Sequence, residues 1–100
     1  MSVKKKGKLN KILVDVPEDK AFWCYGGETF RSLQELAVAL EHMSDEAFQH
    51  HVTEHKNDFS NWVRDVFGDT TLAEQLREVT DKKKAASRIQ ARIKAVKSKQ

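Results

Sequence analysis

The run His51-Val52-Thr53-Glu54-His55 spells H-x-x-E-H, the inverted zinc-protease pattern. Helical spacing puts both histidines on one face, as a zinc site requires. A hydrolase of that kind also needs a third ligand, a general base in register and a cleft. A core of about 60 residues leaves little room for all of that. No metal site and no cofactor are therefore assigned. His51 is expected to be a partly buried side chain hydrogen-bonded to Asn57, Asp58 or a backbone group. His42, His50 and His55 complete the histidines, and nothing in the sequence pairs the four with an element that has two states.

The other reactive types are sparse. Cys24, the one cysteine, has no partner for an internal disulfide and reads as a small buried hydrophobe, in keeping with a reducing cytoplasm. Gly26-Gly27 is followed by no Lys-Ser/Thr, so it is a turn and not a phosphate loop. Carboxylates abound, but none stands in an apolar run that would separate two acid strengths. With no nucleophile, base and orienting group in view, the expectation is a protein that is not an enzyme.

Charge is the stronger signal. Lys4, Lys5, Lys6, Lys8 and Lys11 open the chain, and Lys82, Lys83, Lys84, Arg88, Arg92, Lys94, Lys97 and Lys99 close it, with no acid in either stretch. All fifteen acids lie between Asp15 and Asp81 with five bases, so the middle carries −10 and the two ends +13. Basic ends of this kind suit a polyanion, because neutralising phosphates releases counterions. They equally suit an acidic protein surface, the chain's own or that of a second copy in a homodimer. The mean hydropathy of −0.67 and the lack of a long apolar run exclude a membrane span, and no apolar stretch follows the basic start as in a signal peptide.

These residues need elements to hold them. Residues 1–11 read as a flexible basic arm, 12–81 as a compact acidic helical domain and 82–100 as a basic amphipathic helix. Lys11 to Val16 is β-rich and is expected to be a short strand closed by Pro17. Ala21 to Arg31 reads as a hairpin with Gly26-Gly27 as a two-residue turn. Ser32-x-x-Glu35 is a capping box, Ser44 caps a second helix that carries Phe48, His51, Val52 and His55 on one face, and Asn57 or Asp58 caps a third. Phe59, Trp62, Val63, Val66 and Phe67 give that third helix the strongest apolar stripe in the chain, closed by Gly68. Its only base is Arg64, which suits a core and not a DNA groove. Asp69 starts a fourth helix. Ala85, Ile89, Ile93 and Val96 form a thin stripe on the last helix, which must dock on something or fray. Ile89-Gln90, Lys94-Ala95 and Lys99 approximate an IQ-type motif, with Ala where Gly is usual.

Phe48, His51-Val52, Asn57-Asp58-Phe59-Ser60, Trp62-Val63, Asp65-Val66, Gly68-Asp69 and Leu72-Ala73 together carry a family likeness. The chain resembles a small archaeal and bacterial domain family of unknown function with the signature F-x-x-H-V, N-D-F-S-x-W-V-x-D-V-x-G-D, then L-A. Phe22, Gly27, Ser32-Leu33, Glu35-Leu36 and Leu40 match its earlier part. The resemblance spans roughly residues 20 to 80, leaves the basic ends outside, and implies a compact helical domain with no catalytic residues to transfer.

The expected fold is α+β and predominantly α, a small N-terminal hairpin covered by four short helices plus a basic C-terminal helix. Trp23, Phe30, Leu33, Leu36, Leu40, Phe48, Val52, Phe59, Trp62, Val66, Leu72 and Leu76 should form the core. The expected function is accessory binding of nucleic acid, RNA in preference to DNA and ribosomal RNA included, through backbone electrostatics at the basic ends. The alternative is a protein-interaction adaptor or homodimer in which the basic helix docks on an acidic surface and Asn57, Asp58 and Trp62 contribute a contact.

Overall fold

The computed structural model describes residues 12–98. A 3-10 turn at Glu18–Lys20 leads into strands β1 (Phe22–Trp23) and β2 (Thr29–Phe30), which pair antiparallel with Phe22 opposite Phe30 and Trp23 opposite Thr29. Helices α1 (Leu33–His42), α2 (Asp45–His51) and α3 (Asp58–Trp62) follow, the last running into a π-helical segment at Val63–Phe67. Helices α4 (Thr70–Glu78) and α5 (Lys82–Ser98) complete the fold. The class is predominantly α with one small hairpin, as the sequence patterning implies.

The helix starts follow from their caps. Ser32, Ser44, Asn57 and Asp69 each accept a hydrogen bond from the backbone N–H three residues on, at 3.0 to 3.1 Å. Glu35 reaches back to the Arg31 N–H at 2.7 Å, one residue before the cap, a variant of the capping box. Gly68 closes the third helix at φ +71°, a left-handed conformation that a side chain disfavours.

Helix α1 is the centre of the molecule: Leu33, Leu36, Ala37 and Leu40 are fully buried. Helix α5 lies against it, burying Ala85, Ala86, Ile89, Ile93 and Val96. The two run antiparallel, since Lys82 reaches Met43 at the end of α1 while Lys97 shares a groove with Gln34 near its start. The thin apolar stripe of the basic helix is thus satisfied within the chain. On the other side, Phe22 meets Phe59 at 4.9 Å and Trp62 at 5.7 Å between ring centroids, bringing the hairpin onto α3.

Several expectations are corrected. Within the described part of Lys11 to Val16 there is no strand: residues 12 and 13 are helical, Ile12 and Val16 are buried, and Val16 makes one backbone bond, to Arg31. The hairpin loop has three residues, Tyr25, Gly26 and Gly27, because Cys24 pairs with Glu28. Trp23 is not in the core but 73% exposed. Strand alternation admits only one of two adjacent aromatics, and Phe22 takes the inward position with Cys24. Val66 is half-buried, because the wider π turn carries it away from the stripe while Val63 and Phe67 stay inside. Val52 is also only partly buried, since it ends α2 in extended backbone and pairs with Asn57.

Candidate functional site

Helix α5 presents the densest charge among the described residues. Over Lys82–Ser98 it has seven bases and no acid. Two of them are tied to the fold. Lys82 donates to the Met43 carbonyl at 2.6 Å and pairs with Asp45 at 2.8 Å, holding that carboxyl below its ordinary value. The Arg92 guanidinium donates to Asp69 at 2.6 Å; the Asp69 side chain is only 2% exposed and also caps α4. Lys83, Lys84, Arg88, Lys94 and Lys97 are exposed. At helical spacing Lys83, Lys94 and Lys97 fall along one flank and Lys84 and Arg88 along the other, with Ser87 and Ala91 between them. The result is a cationic ridge about 25 Å long with small side chains along its middle. Lys4, Lys5, Lys6, Lys8, Lys11 and Lys99 lie outside the described residues.

The histidine motif resolves differently. Helix α2 ends at His51, and residues 53–56 form a turn closed by a 2.9 Å bond from the Thr53 N–H to the Lys56 carbonyl. His55 therefore leaves the helix, stands exposed beside Glu54 and shares no face with His51. His51 is buried and uses both ring nitrogens: Nε2 accepts from the Tyr25 N–H at 2.9 Å, so Nδ1 carries the proton and donates to Asp58 at 2.9 Å. Burial pushes the Asp58 carboxyl up, but hydrogen bonds from His51 and Lys56 outweigh it and leave it below its ordinary value. With Nε2 occupied by a backbone donor, this Asp–His pair ties the hairpin loop to α3 and has no ring nitrogen left for proton transfer to a ligand. Burial and the Glu28 charge push the Cys24 thiol up, which keeps it protonated and unreactive.

Residues 22–97 match DUF5752, a family of unknown function. The chain belongs to that family. No curated protein and no solved structure matches it. The match reaches well past residue 80, so the basic helix lies within the DUF5752 domain and is not an appendage to it, in keeping with its packing on α1.

Of the three residues expected at a protein contact, two point inward. Asn57 caps α3 and donates to the Leu76 carbonyl at 3.0 Å, and Trp62 donates its indole N–H to the Lys20 carbonyl at 2.8 Å. Asp58 is half-buried and engaged with His51 and Lys56. What the patterning missed in this DUF5752 chain is the outer face of the hairpin, where Trp23 and Tyr25 stand exposed. The signal was present: two adjacent aromatics in so short a strand cannot both face the core.

Proposed function

We propose that this DUF5752 protein is a non-enzymatic accessory protein that binds nucleic acid, RNA in preference to DNA and ribosomal RNA included, in the cytoplasm. The supporting observation is the outer face of α5, five exposed cations with no acid on the helix, whose apolar face is already used against α1. Contacts from such a face go to phosphates and carry no base readout of their own. Lys4, Lys5, Lys6, Lys8 and Lys11 extend the cationic set. The adaptor reading, with the basic helix on an acidic protein, is weaker because the apolar stripe that would anchor a partner is buried within the chain. Packing of Ile89 and Ile93 on α1 likewise leaves the IQ-like run no apolar face to offer.

Fluorescence anisotropy of labelled RNA and DNA, titrated at several salt concentrations, tests the proposal. The expected result is binding in about the micromolar range, weakening with a log–log salt slope of about −3.5 or steeper for single strands, as five neutralised phosphates require. Absence of binding at low salt overturns it. Charge-neutralising variants are the right controls. Deleting α5 would strip cover from the buried side of α1.

A further inference from the structure

We propose that the outer face of the hairpin is a stacking platform for unpaired bases, with Trp23 as its central ring, which makes single-stranded RNA the ligand class. This rests on the nucleic-acid reading above. At 73% exposure, Trp23 is far more open than the other exposed large apolar side chains, Val14, Tyr25 and Val38, at 45 to 50%. It is held outward by backbone pairing, since the neighbouring cross-strand pair Phe22 and Phe30 faces the core and the register sets Trp23 opposite Thr29. Tyr25, in the adjoining loop, is also exposed. Its ring stacks on His50 at 4.4 Å with 25° between planes, and its N–H is bonded to buried His51. The loop beneath the platform is therefore fixed before any ligand arrives.

Two arguments select a base over a protein surface. Two aromatic side chains offer about 300–500 Å² at most, against about 800 Å² per partner in a stable protein interface. A single indole face is enough for one base. The division of labour also fits the charges: the hairpin carries Glu28 and no base from residue 22 to 30, whereas α5 carries cations and no aromatic. Phosphates go to the helix and rings to the hairpin.

The test uses the full chain with a labelled single-stranded RNA of about 15 nucleotides and a duplex RNA of equal length. Single-stranded RNA should quench the exposed indole fluorescence. Trp23→Ala should weaken single-strand binding at least about 5-fold while leaving duplex binding and the salt slope unchanged, and Trp23→Phe should restore most of the loss. Because the side chain is exposed, the urea midpoint of Trp23→Ala should equal that of the wild type. If wild type binds and Trp23→Ala binds equally well, the platform is overturned and the charge reading stands. If wild type binds no RNA at low salt, both fall. A concentration-dependent dimer that Trp23→Ala dissociates would assign the face to a second copy and also overturn the proposal.

Discussion

Two aspartates carry the most consequential polar contacts. Asp58 receives hydrogen bonds from His51 and Lys56 and is held below its ordinary value. A depressed folded-state value means stabilisation that is complete above the unfolded value of about 3.9 and is lost as pH falls through the folded one. The urea midpoint should therefore drop below about pH 4, and Asp58→Asn should flatten that drop while lowering the midpoint near neutrality. Asp69 is more deeply placed, capping α4 and pairing with Arg92 from a side chain that is 2% exposed. Asp69→Ala removes the cap and leaves the partly buried Arg92 without its partner, so chemical denaturation should show a loss of about 2–4 kcal/mol.

Helix α5 decides the architecture at the level of elements. A sequence with seven bases in seventeen residues and a thin apolar stripe reads as a helix that must dock or fray, and five of its side chains are buried against the rest of the fold. Ile89 is fully buried at the centre of that contact. Ile89→Ala should cost about 2–5 kcal/mol in global unfolding, and helix and core should melt in one transition followed by circular dichroism and indole fluorescence. A frayed helix would instead show an early, separate loss of helicity. Helix α3 makes a related point. Its stripe of aromatics and valines was legible at periods of three and four, but the switch from α to π after Trp62 was not, because it depends on how the buried Val63 and Phe67 pack with α4, a separate element.

On the scale of the whole molecule, charge and aromatic surface are separated. The acidic middle supplies Asp45 and Asp69 to dock the basic helix, and the remaining cations face outward. This arrangement gives a quantitative expectation. Lys83→Gln combined with Lys84→Gln should lower the magnitude of the single-strand salt slope by about 1.4, that is, about 0.7 for each lost phosphate contact. Neither side chain touches the core, so the unfolding midpoint should hold, and anisotropy titrations at several salt concentrations measure the change.

The local features of this protein were readable from its sequence because their causes are local. Ser32, Ser44, Asn57 and Asp69 sit where a side-chain oxygen can satisfy the next turn, Gly68 sits where the chain needs a positive φ, and apolar spacing marks the helices between them. The charge segregation was readable for the same reason, being a property of composition. Tertiary structure decided the cases that local spacing left open. It turned Phe22 in and Trp23 out, ended α2 before His55 and so broke the apparent metal motif, and used the apolar stripe of α5 inside the chain. Each of those outcomes is a choice between near-equivalent local options. Packing against residues distant in sequence breaks the tie: Phe59 and Trp62 for the hairpin, the Tyr25 backbone bonded to His51 for the end of α2, and α1 for the basic helix.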